Sequence, residues 1–374
     1  AKGQPLAKPI AHQSDILCAA FSPDGKYLLT GSADETAHLW LAATGESVGD
    51  VSSHQGSIIH VTFDPSGTLF VTGTETGVAQ LWETATRTER GKKMTHEGKI
   101  VSVDFAPDGA RFLTAGSDGR TNIWRSDNGE ATGLVLLASG EFTCARFSPK
   151  GDRIATGLSD STCQLWSAAT GQPTGEQNYL KAGVSDLTFS HDGRLFATSA
   201  GDSVCVWRSS DGSAEEQLPN QTSTVSAIAF SPDSRLIATA CEDGIARLWE
   251  AKTGNALSEG LRHSGSVDGI AFDANGTTLF CAAGDTLRLW NIATGLTSAD
   301  HKALAKFARE VSSASLQDSA RLQTHVVNSV SKLRQLGAAS TRHVSLLANW
   351  ICSAANERTL TPFSSKKAGA SPNE

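Results

Sequence analysis

No stretch of this sequence approaches the roughly 18 consecutive apolar residues that a membrane-spanning helix needs. No Cys-x-x-Cys pair occurs, and the seven cysteines (Cys18, Cys144, Cys163, Cys205, Cys241, Cys281 and Cys352) are odd in number. That pattern argues against a disulfide framework. Most of them sit in apolar alternating stretches, which points to core-filling thiols in a reduced, cytoplasmic compartment. There is no Gly-rich phosphate loop with its Lys, no His-Glu-x-x-His and no nucleophile elbow. His-Arg-Asp and Asp-Phe-Gly kinase signatures are missing too. The ten histidines are spread out, and none makes a metal-binding spacing. No catalytic residue, metal or cofactor is therefore expected. Methionine occurs once and tyrosine twice in 374 residues.

Charge excludes a further class. The net charge is −7, so nucleic acid is not expected as a partner of the whole chain. The charge is unevenly placed: residues 296–374 hold 10 Lys/Arg against 5 Asp/Glu, leaving −12 on residues 1–295. The chain begins at Ala1 without an initiator Met or an apolar signal segment. This start leaves open whether the chain is a piece of something longer, and any upstream targeting lies outside it.

What the sequence has is a beat. Tryptophans fall at Trp40, Trp82, Trp124, Trp166, Trp207, Trp249 and Trp290, at intervals of 41 or 42 residues. Phe21, Phe63, Phe105, Phe147, Phe189, Phe230 and Phe272 keep the same period, each opening a turn such as FSPDG or FDPSG. Within each copy, apolar alternation leads to the Phe, as in ILCAAF. A second run (YLLTG) follows the turn, and a third (TAHLW) ends at the Trp. A weaker fourth segment comes last. Short runs, turn residues between them and no helical period predict four antiparallel strands per copy, an all-β fold.

Four strands in 41–42 residues with a closing Trp resemble the WD40 repeat, over about residues 3–295. No copy has Asp after its Trp; that position holds Leu41, Glu83, Arg125, Ser167, Arg208, Glu250 and Asn291. The resemblance implies a seven-bladed β-propeller over residues 1–295. Gly3 precedes His12 by nine residues, as Gly45 precedes His54, so residues 3–10 read as a lone fourth strand. Such a strand would complete the seventh blade and remove an exposed edge. Residues 296–374 lose the strand pattern. Leu304, Phe307, Ala308 and Val311, then Leu346, Leu347, Trp350, Ile351 and Ala354, follow helical spacing. A helical C-terminal extension is expected, disordered from about Ser364 and docking on its own propeller.

His12, Thr30, Asp34 and Trp40 recur at the same spacing as His96, Thr114, Asp118 and Trp124. A catalytic triad would appear once, whereas this set repeats. In WD40 proteins such residues form a structural network, and that role is expected here. Blade 2 has Thr76 in place of the Asp, blades 4 and 6 have Ala138 and Gln221 in place of the His, and blade 7 has Cys281 in place of the Thr. Blades 1 and 3 are therefore expected to be tied best.

The resemblance also implies that partners bind the face bearing the loop before each first strand and the second turn. By position that face includes Asp15, Leu17, Ile59, Lys99, Val101, Glu141, Thr224, Glu242 and Asp268. The expected role is a non-catalytic scaffold for a protein or peptide partner, with neither nucleic acid nor membrane involved. The end of the chain, Trp350 and Arg358-Thr359-Leu360-Thr361-Pro362-Phe363-Ser364, resembles the C-termini of WD40 arrays in large multidomain bacterial signalling proteins, some of them Ser/Thr kinases. The alternative it implies is a C-terminal regulatory or docking module whose kinase domain lies upstream.

Overall fold

The Phe-Ser-Pro-Asp-Gly segments fold as the sequence requires of them. In the first, Ser22 Oγ donates to the Asp24 carboxylate and accepts the Tyr27 N–H at 2.9 Å. The Asp24 carboxylate takes the Lys26 N–H at 2.9 Å, and Gly25 supplies a φ of 61°. A turn stapled in this way sets the register of the strands on either side. Ala19 then pairs with Thr30, and Phe21 with Leu28.

This computed structural model describes residues 10–292 apart from 52, 53, 259 and 285. The residues form seven antiparallel sheets, each strand hydrogen-bonded to the next in sequence. Six sheets have four strands and the seventh has three, Val267–Phe272, Thr278–Ala283 and Thr286–Asn291. First strands of successive sheets touch one another from Ile16–Phe21 round to Val267–Phe272. They line the axis, and the fourth strands form the rim, giving a seven-bladed propeller. The strand expected at residues 3–10 lies outside the described residues except for Ile10, which is buried beside Leu28 and Trp40. The expected helical extension lies outside them entirely.

The core sits between blades. Cys18, Ala20, Leu29 and Leu39 of blade 1 pack against Ile58, Val61, Phe63, Phe70 and Trp82 of blade 2. Phe70 and Trp82 stack at 6.2 Å with 11° between their planes. Fully burying side chains of this size contributes about 2 kcal/mol each, so the repeating Phe and Trp supply much of the glue. Close approach needs a small residue in the second strand: a Cβ on Gly31 would lie 2.5 Å from Ile58 Cγ2. All six cysteines of the described region are free thiols, five of them buried. The fourth strands vary most, from the seven residues of Glu89–Thr95 and Ala131–Leu137 to the two of Asn178–Tyr179.

Candidate interaction surface

One hydrogen bond recurs on one face of the ring. The amide of a second-turn residue donates to the carbonyl just before the first strand. It joins Ala33 to Asp15 (2.9 Å), Ser117 to Lys99 (3.0 Å), Ser159 to Glu141 (3.0 Å) and Glu242 to Thr224 (3.0 Å). The two loops are thus clamped together in these four blades, and Asp15, Lys99, Glu141 and Glu242 stand exposed on them.

Directly after the clamp, every first strand is bulged. The register slips between Ile16 and Cys18, Ile58 and His60, Phe142 and Cys144, Val184 and Asp186, Val225 and Ala227, and Val267 and Gly269. In blade 3 the shift pairs Ala115 with Ser102 and Gly116 with Ile100. The extra residue is therefore Leu17, Ile59, Val101, Thr143, Ser185, Ser226 or Asp268. A bulge re-aims its extra side chain out of the regular alternation. All seven side chains are half-buried.

Their chemistry divides the ring. Ser185 Oγ donates to the Val225 carbonyl of the next blade at 3.1 Å. Ser226 Oγ likewise reaches the Val267 carbonyl, and Asp268 accepts from Ser266. Blades 5–7 thus use their polar bulge residues to bind neighbouring groups. Leu17, Ile59 and Val101 have no polar atom to satisfy and leave apolar surface partly open on blades 1–3. The sequence-expected residues therefore form an apolar arc at the bulges, a charged set of Asp15, Lys99, Glu141, Glu242 and Asp268, and the half-buried, uncharged Thr224, whose carbonyl takes the Glu242 amide.

Beneath this face lies the His–Thr–Asp–Trp network. In blade 1, His12 Nδ1 lies 3.1 Å from the Asp34 carboxylate, and Nε2 lies 2.7 Å from Thr30 Oγ1. In blade 3 the matching distances, His96 to Asp118 and Thr114, are 3.1 and 2.9 Å. A carboxylate at Nδ1 holds the proton there, so Nε2 accepts from the Thr hydroxyl. That hydroxyl oxygen in turn accepts the indole N–H, from Trp40 at 2.8 Å and from Trp124 at 2.9 Å. Burial pushes the Asp34 carboxyl up, but the Thr36 hydroxyl, the Gln13 and Thr36 amides and His12 outweigh it and hold it low. Burial acts the same way on Asp118, which His96 and the Glu97 and Arg120 amides also bring below its ordinary value. Each histidine is held on both sides and the Asp tethers the turn, an arrangement suited to positioning loops.

The other blades keep parts of this network. Trp82, Trp166, Trp207 and Trp249 still donate to Thr72, Thr156, Thr198 and Thr239. In blade 2, Thr76 turns to the Gln55 carbonyl instead. In blade 7, where Cys281 replaces Thr, the Trp290 indole donates straight to His263 Nε2 at 3.2 Å. Burial first, and the Arg288 charge second, push the His263 imidazole down to about 4.

Two acidic residues not singled out in the sequence tie blades together near the axis. Asp104 accepts the Phe147 N–H of the next blade at 2.8 Å, and Asp186 accepts the Ile228 N–H at 3.1 Å. Burial lifts Asp104 to about 6, against the pull of Arg146 and the Phe147 and Phe105 amides. Arg146 also donates to Ser102 Oγ at 2.8 Å. Both acids stand in first strands of mixed polarity, IVSVDF and VSDLTF, so the pattern alone does not single them out. Among the described residues no cluster of three or more His, Cys, Asp or Glu could hold a metal ion.

Comparison with known proteins follows the same seven units. The family model described as WD40, "WD domain, G-beta repeat", matches residues 3–40, 45–83, 89–125, 135–167, 174–208, 212–250 and 257–291. No curated protein matches the sequence. Among solved structures, the computationally designed Ika8 protein is similar with a TM-score of 0.68 and 26% identity. The match covers 79% of this chain and 89% of that one.

Proposed function

The chain belongs to the WD40 family, whose domains generally bind proteins or peptides, and from that premise we propose that it is a protein-interaction scaffold whose loop face receives a partner segment across blades 1–3. The observation carrying this reading is the split among the bulge residues. Leu17, Ile59 and Val101 leave apolar surface half-open on consecutive blades, while their counterparts Ser185 and Ser226 are hydrogen-bonded into the next blade.

A partner segment gains by covering apolar surface that the ring cannot cover itself. Of the charged set, the residues on or next to the arc are Asp15, Glu141 and Lys99, two acids against one base. An apolar anchor flanked by Lys or Arg therefore fits better than an acidic segment, and the flanking charges would steer the encounter more than hold it. The blades 1–3 arc also stands above the histidine-bearing positions His12, His54 and His96, so the site rests on well-positioned loops.

The test is selection of displayed random peptides on the full chain, followed by fluorescence anisotropy with the winners. The expected peptides carry an apolar anchor beside basic residues, and Val101→Arg weakens them about tenfold or more, a hot-spot-sized loss. Peptides whose binding survives both Leu17→Arg and Val101→Arg would refute the placement.

A further inference from the structure

Among the fourth strands, Ala131–Leu137 of blade 3 departs from the pattern of the rest. Natural sheets guard their edges with charge, brevity or cover. Of the others, Glu89–Thr95 carries Arg90, Lys92 and Lys93, Ala214–Gln217 is AEEQ, and two are only two residues long. Ala131–Leu137, ATGLVLL, is seven residues long and uncharged. Of the three exposed large apolar side chains among the described residues, two are here, Val135 at 38% and Leu137 at 60%.

Backbone and side chains present themselves together. The strand pairs inward only, Val135 with Asn122, Leu136 with Thr121 and Leu137 with Arg120. The Ala138 amide also points inward, to the Gly119 carbonyl at 3.1 Å. Antiparallel alternation then turns the amides and carbonyls of Val135 and Leu137 outward. Leu134 and Leu136 face the opposite way, into the blade 3–4 core.

Charge identifies the occupant. Arg120 lies directly across from Leu137 and is exposed. The neighbouring rim strand brings exposed Lys92 and Lys93, and Arg90 Nε of that strand donates to the Asp127 carbonyl in the turn leading to Ala131, at 2.6 Å. The Leu137 end of the edge thus has a basic side chain across from it, Arg120, while the acidic Asp127 and Glu130 lie at the other end, before Ala131. A second copy would bring the same lysines face to face, and the chain's own residues 296–374 carry excess positive charge. Both are disfavoured by like-charge repulsion.

We propose that the outer edge of Ala131–Leu137 is a β-augmentation site for an extended partner segment that alternates acidic and apolar residues. The segment adds antiparallel or parallel to Val135–Leu137, lays apolar side chains on Val135 and Leu137, and places carboxylates near Lys92, Lys93 and Arg120. The proposal rests on the scaffold reading but names a second surface, on the rim and away from the loop face.

The experiment uses the full chain and three labelled seven-residue peptides: alternating Glu/Val, alternating Lys/Val, and alternating Glu/Ser. Anisotropy is expected to show binding of the Glu/Val peptide alone, with hydrogen exchange slowed at Val135 and Leu137. Leu137→Lys, and separately the pair Lys92→Glu and Lys93→Glu, should each weaken it about tenfold. Leu137 is exposed, so its variant should keep the wild-type unfolding midpoint, which is measured alongside. Val101→Arg should leave this peptide unaffected, whereas a loop-face peptide should survive Leu137→Lys; the two surfaces thus fail separately. The proposal is overturned by no binding, by equal binding of the Lys/Val peptide, or by indifference to Leu137→Lys. A chain dimer that Leu137→Lys dissolves would overturn it too, by making a second copy the occupant.

Discussion

Blades 1–3 and blades 5–7 are built on the same repeat yet use it differently. In the first group the bulge residues are Leu17, Ile59 and Val101, and each blade keeps the buried histidine of the network, His12, His54 or His96. In the second the bulge residues are Ser185, Ser226 and Asp268, bonded within the ring, and of the histidines only His263 remains. The same backbone thus supports two arcs: one braced below and apolar above, the other closed on itself. Repetition sets the ring, and departures from it at the bulges separate the two arcs.

The bracing can be broken in blade 3. Thr114→Val keeps the shape but leaves the Trp124 indole N–H without its acceptor and His96 Nε2 with only the longer 3.3 Å contact to the Asn122 side-chain amide. Each unsatisfied buried polar group costs about 1–3 kcal/mol, so urea denaturation should show a loss of about 2–3 kcal/mol. The matching hydroxyl is already absent from blade 7, where Cys281→Thr should change stability far less.

Asp118→Asn should cost less, about 1–2 kcal/mol at neutral pH, because the amide still accepts hydrogen bonds but lacks the charge. The folded carboxyl titrates below its ordinary value. Its stabilisation is therefore complete above the ordinary carboxylate range, near pH 4, and is lost as pH falls through the lower folded value. The gap between wild type and Asp118→Asn should close on acidification. A gap independent of pH would mean that the charge contributes nothing.

Blade 7 should respond at a different pH. His263 is pushed down to about 4 when folded, so the unfolded chain binds the proton more readily. Stability is then complete above about pH 6.5 and falls as pH drops toward 4. His263→Gln should remove that part of the pH dependence while leaving the Asp118 response in place. Melting curves from pH 7.5 to 4 would separate the two, and this is the smallest effect expected near neutrality.

Much of this architecture was legible because Trp and Phe are large, buried and periodic. Trp40 to Trp290 gave the number of blades, and the repeated His12–Thr30–Asp34–Trp40 set, through its resemblance to WD40 blades, pointed to the network. The bulges were not legible. In ILCAAF both a regular and a bulged strand put an apolar residue at nearly every position, so the slip at Leu17 leaves no trace in the pattern. The edge at Val135 and Leu137 was hidden for a related reason: fourth strands are short and irregular, and exposure there depends on what neighbouring blades cover. Asp104 and Asp186 were not legible either: their strands also hold Ser102, Ser185 and Thr188, and their partners are backbone amides of the next blade, which no spacing reveals.

The central claim is that the apolar arc on blades 1–3 receives the partner. One measurement tests it directly: arginine placed singly at each of the seven bulge positions, Leu17, Ile59, Val101, Thr143, Ser185, Ser226 and Asp268, with the affinity of a selected loop-face peptide read for every variant. The account predicts large losses at Leu17, Ile59 and Val101 and little change at Ser185 and Ser226, all at an unchanged peptide stoichiometry. Losses confined to blades 5–7, or equal at all seven positions, would contradict it.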